Sequence, residues 1–526
     1  MVSPQIPESV ESPAWTRAEF VLLGALLAAT FLLYSPTLRY EFVYDDRLLL
    51  LQNPQLLSWR FVPQFFRENF TSSALAGAAS VYYRPVLLVW MLVNVKLWGM
   101  NPVPWHLMTI LLHLLVVAEV YLLARGLLRD TSGAALAAAV AALHPAHVEC
   151  VAWIMAQAEQ LAVSLLLASF LVYLGARRRP QGRAAWMIVS LGFFTLAVLI
   201  KENEIMLPGL IAAYEWLFGA APDEQAPLRR AWLRTRSSVL AAAPYFAVAA
   251  VYLVVRVRVL GTMGQKVTPL PLATHLATIP SVLASYLRIL LWPTGLSVEY
   301  HTPYVERLTG PNFFLPAAVV ACFVALLVAW GWRSRCAAFA SVWLALPLLP
   351  ALDLPIFFRD EIVHDRYLYL PAIGFALLVG LAFLQLSFTL ESRGRLGLKA
   401  AAVVLAGLLG AGTWYYQRFW KDNFTLFSRA LQISPSNLIA LNNTGNELAD
   451  RGQWTEALDL YRRALALDPT YWQAVSNAGY CLYRLGRFQE AEQYLTRAIT
   501  LTPGDSSEFV YLGMTYFKMG RLREAE

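Results

Sequence analysis

The sequence predicts an all-α protein in two parts, a polytopic membrane bundle of about 11 helical spans and a C-terminal helical solenoid. Three observations predict this fold. The 526 residues are 58% hydrophobic and only 15% charged, whereas a soluble protein carries about 25% charged residues. Apolar runs close to the length of a bilayer span recur as far as residue 417. From residue 420 onward the chain becomes mixed polar and repeats every 34 residues.

The N-terminal segment 1–17 is predicted to be a polar tail. The first apolar run has no small-residue cleavage site, so we expect it to remain as a span. The multi-spanning domain is predicted over 18–419, with spans at 18–38, 105–124, 131–144, 151–175, 184–200, 205–219, 238–258, 313–332, 337–352, 368–389 and 400–417. The apolar stretches 86–98 and 280–292 are not counted as full spans, because the first is short and Arg288 interrupts the second.

Basic residues set the predicted orientation. They cluster in the loops Arg125/Arg129, Arg177–Arg179, Arg229–Arg236, Arg333/Arg335 and Arg393–Lys399. Eleven spans place all five loops on one side, which the positive-inside rule makes cytoplasmic. The N-terminus is then cytoplasmic, and the C-terminal region is periplasmic or luminal, in a bacterial inner membrane or the endoplasmic reticulum membrane. Because these loops account for the net charge of +7, that charge does not indicate nucleic-acid binding.

The same orientation gathers unusual polar residues on the outer face. They are Asp45, Asp46, Arg84, His144, His147, Glu149, Lys201, Glu202, His364, Asp365 and Arg366. Ionisable residues at a membrane boundary are functional candidates. Simpler alternatives stay open: the paired acids face water at a helix end, Arg84 snorkels, and Lys201-Glu202 is an interfacial ion pair. The two histidines are either metal ligands or a hydrogen-bonded helix cap.

The C-terminal segment 420–526 has the tetratricopeptide pattern. Residues of three types keep the 34-residue step: Gly452, Gly486 and Gly520; Pro435, Pro469 and Pro503; Ala457, Ala491 and Ala525. Small residues occur where paired helices touch, and Pro follows the second helix of each pair. The last repeat is incomplete, so we expect the chain to be part of a longer protein.

Five motifs occur in a specific order ahead of these repeats. They are Phe42-x-x-Asp45-Asp46, Tyr83-Arg84-Pro85, His144-Pro145-x-His147-x-Glu149, Lys201-Glu202 and Asp365-Arg366-Tyr367-x-Tyr369-Leu370-Pro371. With them the chain resembles the transmembrane and tetratricopeptide repeat protein family, within the C-type (GT-C) membrane glycosyltransferases. The resemblance implies transfer of mannose from a lipid phosphate to Ser/Thr hydroxyls on the luminal side. It also implies that Asp45-Asp46 is the catalytic acidic motif.

The chemistry of such a transfer needs few groups. A carboxylate takes the proton of the attacking hydroxyl, and cationic or hydrogen-bonding groups stabilise the leaving lipid phosphate. We therefore expect Asp45 or Asp46 to be the base and the other outer-face candidates to bind substrate. The second acid either orients the first or binds a divalent metal, and no metal ligands are assigned. Relatives often carry a basic–acidic cluster after Trp153, whereas this chain has Ala156-Gln157-Ala158-Glu159, which keeps only the acid.

Two other functions are considered. In the first, the protein is a non-enzymatic membrane-anchored scaffold whose repeats bind partner proteins. A scaffold needs only one span, so the many spans and the outer-face acids and bases favour the enzyme. In the second, the protein is a transporter, which predicts mid-span charges and inverted repeats. Neither mid-span charges nor inverted repeats are evident.

In the enzyme, we expect the repeats to bind the acceptor protein or peptide.

Overall fold

The structure, a computed structural model, describes residues 15–70, 82–179, 181–219, 226–261, 270–308, 310–357, 362–502 and 506–526. Within these ranges the chain is α-helical, with short 3-10 or π turns and no β-strand. The prediction of an all-α fold is confirmed. Most of the predicted N-terminal tail lies outside the described residues.

The chain divides into two compact units. The first comprises Met1–Thr294, Tyr304–Phe358 and Asp365–Arg418. The second comprises Gly295–Pro303, Arg359–His364 and Phe419–Glu526. The second unit therefore contains the predicted repeats and two short segments from within the predicted membrane domain.

The helices of the first unit are α1 Arg17–Tyr34, α2 Val62–Phe65, α3 Pro85–Trp98, α4 Pro102–Leu128, α5 Thr131–Leu143, α6 Val148–Ala152, α7 Gln157–Arg177, α8 Arg183–Ile200, α9 Leu207–Phe218, α10 Pro227–Leu260, α11 Leu272–Leu291, α12 Pro311–Arg333, α13 Arg335–Ala345, α14 Pro371–Thr389 and α15 Ser392–Gln417. Among the described residues, ten helical segments are long and apolar enough to cross a membrane. An eleventh is added if the bent pair Thr131–Leu143 and Pro145–Ala152, with an angle of 49°, is one span. The expectation of about 11 spans is thus confirmed.

Three helices of the first unit meet at one end, which we call the polar end. Trp343, near the end of α13, donates a hydrogen bond from its indole N–H to the carbonyl of Leu370, 3.3 Å away, just before α14. The ring of His144, just after α5, lies 6.0 Å from the ring of Phe375 in α14. The polar end is therefore where α5 and α13 finish and α14 begins.

Helix α9 has only 12 residues, yet its contacts match a membrane crossing. Lys201, before α9, pairs with Glu159 in the first turn of α7. Glu215, near the end of α9, pairs with Arg177, the last residue of α7, at 2.8 Å. With the 3-10 turn Glu202–Met206, α9 is about 28 Å long, close to the ~30 Å hydrocarbon core. Residues 201–215 therefore extend along almost the full length of α7, as expected if the predicted span 205–219 crosses the membrane.

Helix α11 has the length of a span, but both of its ends lie at the polar end. In its first turn, His275 Nε2 is 2.7 Å from the carbonyl oxygen of Leu352, which follows α13. In its last turn, the carbonyl oxygen of Leu290 is 3.0 Å from His144 Nε2. A 20-residue helix is about 30 Å long, so a crossing would place these ends on opposite sides. If α9 is counted as a crossing and α11 is not, the number of crossings is still the eleven predicted from the basic loops.

Glycines let α14 approach its neighbours closely. A Cβ atom on Gly374 would lie 2.4 Å from the backbone nitrogen of Leu344 and 2.6 Å from the carbonyl oxygen of Ala340. A Cβ on Gly380 would lie 2.5 Å from the carbonyl oxygen of Gly133 in α5. Small residues allow such backbone contacts between membrane helices. They fix the start of α14, and with it the turn Asp365–Leu368 that precedes it.

The second unit is a stack of antiparallel helix pairs. Its helices are α16 Asn423–Ile433, α17 Leu438–Asp450, α18 Trp454–Leu467, α19 Trp472–Arg484, α20 Phe488–Leu501, α21 Ser506–Lys518 and α22 Leu522–Ala525. Gly452, Gly486 and Gly520 have φ values of +78°, +74° and +77°. These glycines let the chain turn between the helices of each pair. The buried side chains between the pairs include Ala457, Ala491 and Leu495, so the predicted 34-residue repeat is also the structural repeat.

Candidate active site at the polar end

The two histidines stabilise the bend between α5 and α6. The N–H of Ala146 donates to His144 Nδ1 at 3.2 Å, so Nε2 carries the proton and donates to the carbonyl of Leu290. His147 Nδ1 lies 2.6 Å from the carbonyl oxygen of Ala141. Both imidazoles are buried. His144 is thus a helix cap, one of its two predicted alternatives. No group of three or more His, Cys, Asp or Glu side chains among the described residues could hold a metal ion.

The bend directs Glu149 at Arg366. The guanidinium of Arg366 donates to Glu149 Oε1 at 2.6 Å, and the backbone N–H of Arg366 donates to Oε2 at 3.2 Å. The Glu149 side chain is 1% exposed, whereas that of Arg366 is 18% exposed. Burial disfavours the charged guanidinium, but Glu149 more than offsets this and raises the pKa of Arg366 above its usual range. Arg366 is therefore paired with a carboxylate that lies 217 residues earlier in the chain.

Arg84 forms the second ion pair. It donates from Nε to Glu202 Oε2 at 3.0 Å and from a terminal nitrogen to Oε1 at 2.7 Å. This is the bidentate fork typical of arginine and carboxylate. The guanidinium also lies 4.2 Å from the centroid of the Tyr82 ring. Burial alone would raise the pKa of Glu202, but Arg84 lowers it to about 2, so this carboxylate is ionised at any physiological pH.

Lys201 supplies a third cation close to the other two. It pairs with Glu159, the acid retained in the otherwise uncharged segment after Trp153. Its Nζ lies 5.5 Å from the centroid of the Tyr367 ring, and the Arg366 guanidinium lies 5.6 Å from the same ring. Burial, with the nearby charge of Arg84, lowers the pKa of Lys201. Lys201 and Arg366 therefore lie close to the same Tyr367 ring, and Arg84 is close enough to Lys201 to interact with it electrostatically. Each of the three cations is paired with its own carboxylate.

The two adjacent aspartates have different environments. Asp46 is fully buried. Its Oδ2 accepts from the backbone N–H of Val43 at 3.0 Å, and its Oδ1 accepts from the N–H of Met155 at 2.9 Å. Burial raises the pKa of Asp46 well above its ordinary value, although these two hydrogen bonds act in the opposite direction. Both of its oxygens are therefore occupied by backbone contacts.

Asp45 is the accessible member of the pair. Its side chain is half-buried, and no described residue donates a hydrogen bond to its carboxylate. Burial raises its pKa, and the positive charge of Arg366 opposes this effect. Asp45 is thus near enough to Arg366 to interact with it electrostatically, while its oxygens remain available to a substrate proton.

The remaining candidates, His364 and Asp365, are both buried. His364 belongs to the second unit, whereas Asp365 begins the turn that carries Arg366. The site also contains residues that the sequence did not single out for the chemistry. Trp153 lies 5.6 Å from the Arg366 guanidinium, and Tyr82 and Tyr367 contact the cations. Tyr82 lies two residues before Arg84 and Tyr367 directly follows Arg366, and this closeness in the sequence was the available signal for the two tyrosines. No local pattern marked Trp153.

Comparisons with known proteins find similarity both in the repeats and along most of the chain. Residues 442–506 match the family model described as tetratricopeptide repeat. The protein O-mannosyl-transferase TMTC4 of Homo sapiens is 27% identical over 506 residues, which cover 86% of this chain and 66% of the relative. Tmtc1 of Drosophila melanogaster is 26% identical, covering 87% and 62%. Human TMTC3 is 26% identical, covering 79% and 48%.

The predicted resemblance is confirmed. Along most of its length the chain resembles the transmembrane and tetratricopeptide repeat O-mannosyl-transferases, and it spans about half to two thirds of the length of these relatives. Two solved structures are remotely similar, each at 15% identity. The oligosaccharyltransferase of Archaeoglobus fulgidus covers 77% of this chain and 55% of its own, with a TM-score of 0.38. ArnT from Cupriavidus metallidurans, bound to undecaprenyl phosphate, covers 92% and 80%, with a TM-score of 0.35.

Proposed function

We propose that the protein is a membrane glycosyltransferase of the GT-C type. It transfers a sugar, mannose or one like it, from a polyprenyl or dolichyl phosphate to a Ser/Thr hydroxyl of a protein on the non-cytoplasmic face. The observation that carries this proposal is the accessible Asp45 carboxylate, which is close enough to Arg366 to interact with it electrostatically. Arg366 is in turn one of three neighbouring cations, each paired with its own carboxylate. The names of the curated relatives support the same activity.

The cations bind the phosphate of the donor. As the glycosidic bond breaks, negative charge grows on the lipid phosphate, and preorganised cations stabilise that charge. Arg366 offers a planar fork that matches two phosphate oxygens, and the positive charges of Arg84 and Arg366 are both close enough to Lys201 to interact with it. Glu149 and Glu202 orient the two guanidinium groups, so these acids act through the arginines. A bound phosphate would accept some of the hydrogen bonds that the two guanidinium groups donate to Glu149 and Glu202.

Asp45 is the general base. A Ser/Thr hydroxyl attacks the anomeric carbon while its proton passes to the carboxylate. The carbon–oxygen bond to the phosphate breaks, and the leaving phosphate keeps the bonding electron pair. Positive charge develops on the sugar ring, as in glycoside hydrolysis. Asp46 holds the loop in place, and the two histidines hold the bend that carries Glu149.

The outer location of the site is part of the proposal. The eleven crossings put the basic loops on the cytoplasmic side and the polar end on the opposite side. The last membrane helix also ends at the polar end, because Thr413 in α15 donates to the carbonyl of Leu143 at 2.7 Å. The repeats follow α15 in the chain, which supports the proposal that they are on the non-cytoplasmic side of the membrane.

The repeats recruit the acceptor protein. The first helices of successive pairs carry a row of amide side chains, in which the half-buried Asn477 donates at 2.9 Å to the buried Asn442 and to the half-buried Asn446. Tyr480 and Tyr511 lie beside them, with ring centroids 4.6 Å apart. Solenoids bind extended polypeptides or helices on such surfaces. The combination of amides and aromatic rings suits a polypeptide better than a charged polymer.

The test is sugar transfer by the purified chain in lipid nanodiscs. Polyprenyl phosphate mannose is the donor, and a Ser/Thr-containing acceptor domain is the substrate. We expect transfer by the wild type, and a rise in the acceptor KM without a change in donor dependence for the double variant Asn477→Ala/Tyr480→Ala. Arg463→Ala, an exposed change on the second helix of a pair, is the matched control. If the protein binds acceptor domains but transfers no sugar from any lipid phosphate, the scaffold alternative replaces the enzyme.

A further inference from the structure

Tyr44, directly before Asp45, has an unusual backbone conformation. Its φ is +56°, and the only other non-glycine residue with positive φ in the described part of the chain is Arg129, at +54°. Arg129 follows the last turn of α4, where left-handed residues commonly end a helix. Tyr44 lies in a tight turn instead, at a position that normally takes Gly, Asn or Asp. A bulky residue in this region of φ is an outlier and carries strain.

The turn around Tyr44 is fixed from two directions. The backbone N–H of Asp46 donates to the carbonyl of Val43 at 3.1 Å, and the N–H of Val43 donates back to the Asp46 carboxylate. The second oxygen of that carboxylate accepts from Met155. Strained residues persist where the surrounding structure over-determines them, and they cluster at active sites. Asp46 provides that constraint here.

The conformation places the Tyr44 ring against Trp153. The two ring centroids are 5.3 Å apart, and Trp153 in turn lies 5.6 Å from the Arg366 guanidinium. The aromatic pair therefore extends from the residue next to the base, Asp45, to the cation that binds the phosphate. In the proposed reaction the sugar must occupy this interval, because its anomeric carbon lies between the attacking hydroxyl and the phosphate oxygen.

We propose that Tyr44 and Trp153 form the binding subsite for the hexopyranose ring of the donor, and that the strained backbone of Tyr44 exists to direct its ring at the sugar. This inference rests on the proposed function and adds to it. A pyranose has an apolar face of C–H groups that packs on aromatic rings, and aromatic side chains supply large contact area at low entropic cost. Tyr44 is thus a binding residue for the sugar, and Asp46 is its positioning residue.

The experiment compares variants that separate the ring from the strain. Tyr44→Gly removes both, Tyr44→Ala removes the ring but keeps the strain, and Tyr44→Phe keeps both. Arg129→Gly relieves the same strain far from the site and is the matched control. Each purified variant is assayed for its Tm, for its KM for polyprenyl phosphate mannose, and for inhibition by polyprenyl phosphate, which has the lipid and phosphate but no sugar.

We expect the donor KM to rise about tenfold in Tyr44→Gly and Tyr44→Ala, the factor that corresponds to loss of one good aromatic contact. Inhibition by polyprenyl phosphate should stay at the wild-type value, because the phosphate site is intact. Arg129→Gly should raise Tm, and Tyr44→Gly should have a higher Tm than Tyr44→Ala, because both lack the ring and only glycine relieves the strain. Tyr44→Phe keeps the ring, so its donor KM should be lower than that of Tyr44→Ala.

Two results would overturn the inference alone. One is an unchanged donor KM in Tyr44→Gly, and the other is an equal weakening of donor and sugar-free lipid phosphate. In both cases the wild type still transfers sugar, so the proposed function stands. Absence of transfer by the wild type, with inhibition therefore unmeasurable, would overturn the proposed function and this inference with it.

Discussion

The carboxylate of Asp46 accepts a hydrogen bond from the backbone N–H of Met155, which follows it by 109 residues and lies 2.9 Å away. This contact joins the first loop after α1 to the break that precedes α7. It gives Asp46 a structural task that its neighbour Asp45 does not share. The two acids of the motif therefore have separable roles.

Substitution of each acid by its amide should separate these roles. Asp45→Asn should keep the wild-type Tm, because no described residue donates to that carboxylate, and should lower kcat about 100- to 10,000-fold, as loss of a general base does. Asp46→Asn places an NH2 group against one of two buried N–H donors, which costs about 1–3 kcal/mol. Its Tm should fall measurably in a thermal unfolding assay. An Asp46→Asn protein of unchanged Tm would show that the two hydrogen bonds do not hold the loop.

Arg366→Lys tests the phosphate contact. Lysine keeps the charge but lacks the planar fork, so we expect the donor KM to rise about tenfold or more, corresponding to loss of one charge-assisted hydrogen bond. The measurement is transfer at varied donor concentration. Arg333→Lys, at the far end of α12, is the control and should behave as the wild type. An unchanged donor dependence in Arg366→Lys would leave Arg366 only as an interface anchor.

The pH dependence of kcat/KM should report Asp45. Burial raises its pKa above the ordinary value of about 3.9, and the base must be deprotonated to act. Activity should therefore rise with pH through an acidic limb centred above pH ~4. An acidic limb that persists in Asp45→Asn would assign it to another group.

The Arg84–Glu202 pair should contribute to stability in a different pH range. The pKa of Glu202 is lowered to about 2, so its contribution to the free energy of unfolding is complete above its ordinary pKa of about 4.3 and is lost progressively as pH falls from about 5 toward 2. Thermal unfolding should therefore show no loss assigned to this pair between about pH 6 and 7, and a growing loss below about pH 5.

Cysteine labelling should reveal the predicted sidedness. The cysteine-free background replaces Cys150, Cys322, Cys336 and Cys481. Single cysteines at Gln52, Leu272, Thr294 and Ser436 should react with a membrane-impermeant maleimide from the non-cytoplasmic side, and Gln181→Cys should react only from the cytoplasmic side. Leu272 begins α11 and Thr294 follows its end, so labelling of these two from opposite sides would show that α11 crosses the membrane.

Gly374→Ala should destabilise the first unit. Its Cβ would lie 2.4 and 2.6 Å from backbone atoms of α13. Backbone atoms, unlike side-chain atoms, cannot move away by a change of rotamer, so one of the two helices would have to shift. We expect a loss of about 1–3 kcal/mol, typical of overpacking, with reduced donor affinity because the turn before α14 shifts. Gly407→Ala, where no heavy atom lies within 4 Å of the added Cβ, is the matched control. Equal thermal unfolding of the two variants would contradict the close packing.

The sequence was informative for features that depend on neighbouring residues or on the order of charged and apolar segments along the chain. Charge next to an apolar run identified Asp45-Asp46, and the basic loops selected 205–219 over 280–292 as a span, a choice that the contacts of α9 and α11 favour. The partner of Arg366 was not predictable, because Glu149 reaches it only through the bend after α5. The turn at Tyr44 is held by the Asp46 carboxylate, which also accepts from the backbone N–H of Met155, 109 residues later. No spacing in the sequence predicts this contact or the proximity of Trp153.

The composition of the second unit bears on the order in which the protein folds during synthesis. Segment Gly295–Pro303 belongs to the same unit as the repeats, and the backbone N–H of His301 donates to Ser434 Oγ at 3.0 Å, across 133 residues of chain. The ribosome synthesises residues 295–303 well before Ser434. The His301–Ser434 hydrogen bond therefore cannot form until the remaining membrane helices have been synthesised. Completion of the repeat unit is therefore a late event that follows insertion, and a truncation before Ser434 would leave a loop of the membrane domain without its contact.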